Sequence, residues 1–158
     1  MPFQSLLSAD RVVLLVDAGE RDGVLDAAAR LLSDASPATT QAIGESLRKR
    51  ERLGSTGIGH GIAIPHGRTN AFDHARAAFL RLQSPVDFGA SDGQPVDLVF
   101  AMAVPEHFTQ EHLHLLAEIA ERFADENFRA ALRNAADIDT LRRLILEPAS
   151  TVAAAGVR

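Results

Sequence analysis

GHGIAIPHGR, residues 59–68, is the stretch that decides the fold around it. Residues 62–64 form an apolar run typical of a short buried strand, but a proline follows at once. Pro65 has no N–H to continue a hydrogen-bonded ladder, so we expect the chain to leave the sheet there, with His66 at a strand end. Gly67 has no Cβ and lets a ligand or another backbone come close. The imidazole of His66 is therefore presented rather than packed.

Strand and helix patterns are mixed along the rest of the chain. Apolar runs predict strands, and apolar residues at helical spacing predict amphipathic helices. We expect strands at 12–16 (buried on both faces), 62–64, 76–83 and 96–104, with a short edge strand at 86–88. We expect helices at 20–35, 37–53 (with Ser36 as N-cap), 109–124, 127–134 and 138–146. This mixture predicts a sheet covered by helices on both faces, which is an α/β sandwich.

The composition is that of an ordinary globular domain. With 158 residues, 46% of them hydrophobic and 23% charged, the chain fits one domain, placed at 1–148. Residues 149–158 show no amphipathic pattern and are expected to form a disordered tail. The net charge of −5 argues against a nucleic-acid surface, and the lack of cysteine excludes disulfides and thiol chemistry. No segment has the length of a membrane span, so we expect a cytoplasmic protein without membrane insertion.

His66 is the strongest candidate for chemistry. An imidazole whose pKa lies near the ordinary value of about 6.5 is mostly neutral at pH 7 and can attack phosphorus. His66 is thus a candidate phosphoryl acceptor. The alternative is a turn histidine at a strand end, which accounts for neither Pro65 nor Gly67.

Donors for a phosphoryl group lie just upstream of the quoted stretch. In the helix at 37–53, Arg50 continues the inward stripe of Ile43 and Leu47, so it is expected to point at something. The loop that starts at Gly54 supplies hydroxyls and backbone N–H groups of the kind that hold anions. The expected phosphate-binding residues are Ser55, Thr56, Gly57 and Gly67. A plain flexible connection would look the same, and the loop matches neither a Walker A sequence nor a dinucleotide-binding turn.

Two histidines near the start of the helix at 109–124 differ in their predicted surroundings. His112 shares a side with the apolar residues of that helix, whereas His114 shares one with its charged residues, including Arg122, and faces water. Thr109 is the expected N-cap, and the helix dipole there favours a neutral imidazole and a nearby anion. A core-edge histidine bonded to a backbone carbonyl explains His112 about equally well.

A metal site made of histidines ranks below phosphoryl transfer. Its members would be His60, His66, His112 and His114. No ligand spacing such as HExxH appears among them, so neither a metal nor another cofactor is expected.

Three stretches together resemble a known family. They are RERLGSTGIGHGIAIPHGR at 50–68, SPVDFGASDGQPVDLVFAMAVP at 84–105 and QEHLHLL at 110–116. The first resembles the phosphohistidine signature of the mannitol/fructose-type enzyme IIA domains of the bacterial phosphoenolpyruvate-dependent phosphotransferase system. All three look like the nitrogen-regulatory branch of that family.

The resemblance implies a fold, a partner and three site residues. The fold is a three-layer α/β/α sandwich with a mixed sheet. The partner is a small phosphocarrier protein, HPr or its nitrogen-branch equivalent NPr, which phosphorylates His66. His112 matches the second active-site histidine of the family and Arg50 its active-site arginine. His60 departs from the Asn or Glu that relatives often have.

The sequence leaves the fate of the phosphoryl group open. The resemblance implies a regulator whose phosphorylation changes which potassium-transport protein, sensor kinase or metabolic enzyme it binds. The alternative is a sugar-transport subunit that passes the group to an enzyme IIB. The sequence favours the regulator, because it contains no membrane span and no attached IIB or phosphocarrier domain. A third alternative, a non-catalytic anion-binding module, requires an inert His66.

Overall fold

A computed structural model of the chain describes residues 3–15, 17, 19–34, 36–107 and 110–147. The side chains at 15 and 110–112 lie outside that description. Within these residues the strands are β1 (Val12–Leu15), β2 (Gly57–Gly59), β3 (Ile62–Ala63), β4 (His66–Thr69), β5 (Arg76–Val86) and β6 (Val96–Pro105). The helices are α1 (Arg21–Leu32), α2 (Pro37–Leu53), α3 (Gln110–Phe123), α4 (Glu126–Asn134) and α5 (Ile138–Leu146).

The sheet is mixed, and β6 is its central strand. The order is β1-β5-β6-β3-β2, with β4 also paired to β6. Strand β6 runs antiparallel to β5 but parallel to β3 and β4. Strands β3 and β4 therefore lie one after the other along the same side of β6. The segment that carries His66 is fixed against the most buried strand of the protein.

Helices cover both faces of this sheet, so the predicted α/β/α sandwich with a mixed sheet is confirmed. Alternate residues of β6 serve the two faces, as the period of a strand requires. Leu98, Phe100 and Met102 pack toward α3, α4 and α5. Val99 and Ala101 pack toward α1 and α2. Small side chains on the second face let α1 and α2 lie close to the sheet.

Two predicted strands differ from the structure. Leu14 is 39% exposed, so the expectation that the first strand is buried on both faces is wrong. The reason is its place, because among the described strands β1 pairs with β5 alone and forms an edge of the sheet. The separate edge strand at 86–88 is also wrong, since Val86 is the last residue of a long β5.

The helices follow the predicted pattern closely. Helix α2 begins with Pro37 at its first position after the N-cap Ser36, and α5 has the predicted bounds. Thr109, the predicted N-cap of α3, and the tail at 149–158 lie outside the described residues. In the part of the chain that is described, no helix is both long and apolar enough to cross a membrane.

Candidate active site

His66 is the first residue of β4, where it pairs with Met102 of β6. His66 is thus at the end of a strand, as expected, but the expectation that the chain leaves the sheet at Pro65 is wrong. Pro65 does interrupt the ladder, but its carbonyl accepts a hydrogen bond from Met102 N at 2.9 Å, which keeps the chain beside β6. The proline therefore separates two short strands instead of ending the sheet.

The backbone around His66 selects one tautomer of the imidazole. Its Nδ1 lies 2.8 Å from the carbonyl oxygen of Ile64. A carbonyl can only accept a hydrogen bond, so Nδ1 carries the hydrogen. In the neutral ring the lone pair is then on Nε2, and Nε2 is the nucleophilic atom.

His66 is half-buried, and burial is the main cause that lowers its pKa below the ordinary histidine value. The hydrogen bond to Ile64 opposes this effect, the positive charge of Arg50 adds to it, and the negative charge of Glu51 opposes it. The balance favours the neutral form. A neutral imidazole whose lone pair is on Nε2 can act as a nucleophile at pH 7.

Gly67 allows α2 to pack directly on β4. A Cβ atom at this position would clash with the side chain of Ser46 and would lie 3.0 Å from the Ser46 carbonyl carbon. Ser46 Oγ also donates a hydrogen bond of 2.8 Å to the carbonyl of Arg68. The predicted close approach at Gly67 is thus made by a helix of the same chain.

Arg50 lies in the last turn of α2, half-buried as its inward stripe predicts. One of its guanidinium nitrogens donates to the carbonyl of Gly54 at 2.8 Å, which ties the side chain to the end of its own helix. Its charge acts on His66, since it contributes to lowering the His66 pKa. The role of Arg50 in phosphoryl transfer stays a prediction.

Glu51 is a site residue that our sequence reasoning missed. It is only 3% exposed, and both carboxylate oxygens accept hydrogen bonds from Thr56: Oε2 from the backbone N–H at 2.7 Å and Oε1 from the hydroxyl at 2.6 Å. The signal was present in the sequence, because Glu51 lies four residues after the buried Leu47 and so on the same face of α2.

The loop after α2 is held by hydrogen bonds within the protein. Ser55 Oγ donates to the carbonyl of Phe88 at 2.6 Å and accepts from Gly57 N at 3.0 Å. The hydroxyl and N–H of Thr56 donate to Glu51. Phosphate binding by Ser55, Thr56, Gly57 and Gly67 stays a prediction, and in this arrangement the two hydroxyls serve to shape the loop.

A tight hairpin occupies the second half of the expected glycine loop. Strands β2 and β3 are joined by His60 and Gly61, with φ values of 58° and 79°. Positive φ at both central positions is the requirement of a type I′ turn. The turn is fastened from both sides, because His60 N donates to Asp92 at 2.9 Å and Arg133 donates to the His60 carbonyl.

The structure describes the side chain of only one of the two histidines of α3. His112 lies in the first turn of the helix, but its side chain is outside the described residues, so its role stays a prediction. His114 is exposed, in agreement with its predicted water-facing side. Arg122 was predicted to share this water-facing side, but it is half-buried, with its guanidinium 3.6 Å from the centre of the Phe128 ring.

No group of three or more His, Asp or Glu side chains that could hold a metal ion occurs among the described residues. His60, His74 and His107 are exposed. An open groove of about 570 Å³ is lined by 69–73 and 105–107. It lies at the far end of β4, three residues or roughly 10 Å along the strand from His66. His66 is partly exposed, but it does not line this groove.

Known proteins share both the sequence and the fold of this chain. The family model "Phosphoenolpyruvate-dependent sugar phosphotransferase system, EIIA 2" matches residues 5–147. A nitrogen regulatory protein of Pseudomonas aeruginosa is 41% identical over 146 residues, which are 92% of this chain and 95% of the relative. The fructose-specific EIIABC component of Bacillus subtilis is 34% identical over 146 residues, 92% of this chain but 23% of the relative. The crystal structure of the nitrogen regulatory protein IIA-Ntr of Neisseria meningitidis superimposes with a TM-score of 0.81 at 35% identity, covering 90% of this chain and 98% of that one.

Proposed function

The chain belongs to the EIIA 2 family of the phosphoenolpyruvate-dependent sugar phosphotransferase system, and on that premise we propose that it accepts a phosphoryl group on Nε2 of His66. It is a phosphotransferase component and a IIA protein of the regulatory kind. The observation that carries the proposal is the hydrogen bond from Nδ1 to the Ile64 carbonyl, which leaves Nε2 as the nucleophile.

The proposed step is a transfer between two nitrogens. The lone pair of Nε2 attacks the phosphorus of a phosphorylated carrier protein, a P–N bond forms, and the bond from phosphorus to the donor nitrogen breaks. The donor nitrogen keeps the electron pair of the broken bond. The His66 ring gains positive charge in this step, and the Nδ1–H that shares this charge already donates to the Ile64 carbonyl.

Arg50 and His112 are proposed to stabilise the phosphoryl oxygens. Arg50 is supported by its position, because its charge already acts on the His66 imidazole. Fixed donors and cations aimed at developing charge are an effective form of catalysis where water is partly excluded. His112 is supported by the family resemblance and by its place in the first turn of α3.

The donor is proposed to be a phosphocarrier protein of the NPr or HPr kind. IIA proteins of this system exchange phosphate with phosphocarrier or IIB partners. A half-buried imidazole at an accessible surface suits a donor that brings its own covering surface and excludes water on docking. The proposed location of this exchange is the cytoplasm.

A regulatory output is favoured over sugar transport. The nitrogen regulatory protein of P. aeruginosa is more similar to this chain than the fructose-specific component of B. subtilis, at 41% against 34% identity over equal lengths. The proposed targets are proteins of potassium transport, sensor kinases or metabolic enzymes, whose binding would change with phosphorylation of His66. Transfer to an enzyme IIB is the second candidate, and an inert anion-binding module the third.

The proposed function is tested by reconstituting the phosphoryl relay. The full chain is incubated with phosphoenolpyruvate, enzyme I and a phosphocarrier, and its intact mass is measured. We expect one acid-labile, base-stable phosphoryl group per chain, which is lost in His66→Ala and kept in the matched control His114→Ala. No phosphorylation, or stable phosphate on Ser55 or Thr56, would overturn the proposal.

A further inference from the structure

A line of hydrogen bonds joins the carboxylate of Glu51 to the imidazole of His66. Glu51 accepts from the N–H and hydroxyl of Thr56 at 2.7 and 2.6 Å. The carbonyl of Thr56 accepts from Ile64 N at 3.0 Å. The carbonyl of Ile64 accepts from Nδ1 of His66 at 2.8 Å. The line thus runs from α2 through the loop before β2 to the nucleophile.

The inner members of this line are shielded from water. Glu51, Thr56 and Ile64 are 3%, 5% and 4% exposed. Water therefore cannot replace these bonds, and a buried polar group that lost its partner would cost free energy. The orientation of each peptide along the line is accordingly held firmly.

Each link sets the direction of the next. Two acceptor oxygens on Glu51 match the two donors of Thr56 and hold the N–H and the side chain of that residue, while its carbonyl accepts from Ile64 N. Ile64 lies between β3 and β4 and precedes Pro65, so this bond replaces regular strand pairing at its N–H. The Ile64 carbonyl is then directed at Nδ1.

We propose that Glu51 is a positioning residue that, through Thr56 and Ile64, holds the His66 ring in the tautomer and orientation that leave Nε2 reactive. The hydrogen bonds that support this role are present whatever the function of the protein. Its consequence for phosphoryl transfer rests on the proposed function.

The charge of Glu51 does not explain its place here. A carboxylate near the imidazole raises the His66 pKa, whereas the larger effect of burial lowers it. Raising the pKa increases the protonated fraction, which has no lone pair for attack on phosphorus. The benefit of Glu51 is therefore in its hydrogen-bond geometry, and a neutral side chain of the same shape should supply it.

The experiment compares Glu51→Ala with Glu51→Gln in the full chain. Glutamine can accept from the Thr56 N–H with its oxygen and donate to the Thr56 hydroxyl with its amide nitrogen. Two readouts are used: long-range ¹H–¹⁵N NMR spectra of the His66 ring, which identify the nitrogen that carries hydrogen, and single-turnover transfer from the phosphorylated carrier. Asp137→Ala is the matched control, because Asp137 also accepts from a threonine N–H, that of Thr140, but at the start of α5.

We expect Glu51→Ala to lose the single Nδ1–H tautomer and to slow transfer by roughly 10- to 100-fold, the effect of a small misplacement of a reacting group. Glu51→Gln should restore both readouts, and Asp137→Ala should change neither. An unchanged tautomer in Glu51→Ala would overturn the proposal, and so would a Glu51→Gln variant as defective as Glu51→Ala.

Thr56→Val keeps the test valid if Glu51→Ala does not fold. It removes the hydroxyl link alone, and Thr56→Ser restores it. We expect a partial loss of the tautomer in Thr56→Val and none in Thr56→Ser, and equal spectra for the two would overturn the proposal. A wild-type chain that takes no phosphate from the carrier would reject the proposed function, while the NMR spectra would still decide the role of Glu51.

Discussion

Gly67 lies directly against Ser46, so that β4 and α2 touch beside His66, the proposed nucleophile. A Cβ atom on Gly67 would lie 3.0 Å from both the carbonyl carbon and the Cβ of Ser46. His66 is adjacent to this contact on one element, and Arg50 and Glu51 follow it by one helical turn on the other. The contact therefore sets the spacing of the whole site.

Gly67→Ala should push α2 away from β4. We expect a loss of about 1–3 kcal/mol in the free energy of unfolding, typical of an overpacked position, together with slower phosphoryl acceptance. Gly54→Ala is the control for stability, because a Cβ there meets nothing within 4 Å. Urea unfolding measures both variants, and equal stability of the two would show that the contact is not tight.

The His66 pKa should lie below the ordinary histidine value of about 6.5, because burial and Arg50 both lower it. The rate of phosphoryl acceptance should then stay constant above neutral pH and fall only in more acidic solution. The free energy of unfolding should also decrease as the pH falls. Below about pH 6.5 the unfolded chain binds a proton at His66 before the folded chain does, so the contribution of the neutral imidazole to stability is lost. NMR titration of the folded chain, with the denatured chain as reference, measures the shift. A folded pKa above the denatured one would contradict it.

Arg50→Ala should slow phosphoryl transfer with little loss of stability, because the side chain makes one hydrogen bond at a helix end and its main contribution is charge at the reacting group. Arg50→Lys should recover part of the rate, since it restores the charge but not the planar guanidinium. Single-turnover transfer measures both. The exposed Arg52, changed to Ala, is the control, and an equal effect at Arg52 would reduce Arg50 to a surface cation.

His60 should act through its backbone. Its φ of 58° is the left-handed conformation, which asparagine tolerates and β-branched residues do not. We expect His60→Asn to keep both stability and phosphorylation, whereas His60→Val should lose about 1–2 kcal/mol of stability. Thermal melts and the phosphorylation assay separate the two effects. If His60→Asn blocked phosphorylation in a folded chain, the imidazole would have a role of its own.

The helices and the central strand could be predicted because their signals are local. The apolar run of β6 and the Ser36-Pro37 start of α2 are each contained in a few consecutive residues. The sequence also predicted that His66 lies at a strand end and that Arg50 is directed inward, because these positions depend on a proline and on a helical stripe, while their roles stay predictions. Exposure of Leu14 depended on strand order, which no local pattern contains.

The missed features are pairings between distant segments. The Ser55 hydroxyl donates a hydrogen bond to the carbonyl of Phe88, 33 residues away. The sequence shows that this donor exists but does not show its partner. His66 follows a proline, and only the partner strand β6 shows that the ladder resumes there. Glu51 was missed for another reason. A charged residue in a helix is usually expected to face solvent, even where its spacing places it on the inward face. Its burial is explained by the two donors of Thr56.

The three histidines of the site region should differ sharply when each is changed to alanine. His66→Ala should abolish phosphate uptake, because no other side chain takes the place of Nε2. His114→Ala should be nearly silent, since this side chain is exposed on α3.

His112→Ala should still allow some uptake but slow the transfer, because the proposed role of this residue is to donate a hydrogen bond to the phosphoryl oxygens without forming the P–N bond. Loss of one such donor typically costs ~10²–10³ in rate, and the lower end or less is expected at an open site. The measurement is the single-turnover rate from the phosphorylated carrier to each variant, with thermal melts to check folding. A larger loss in His114→Ala than in His112→Ala would mean that His112 is not the second active-site histidine, since the exposed face of α3 would then be the one that meets the phosphoryl group.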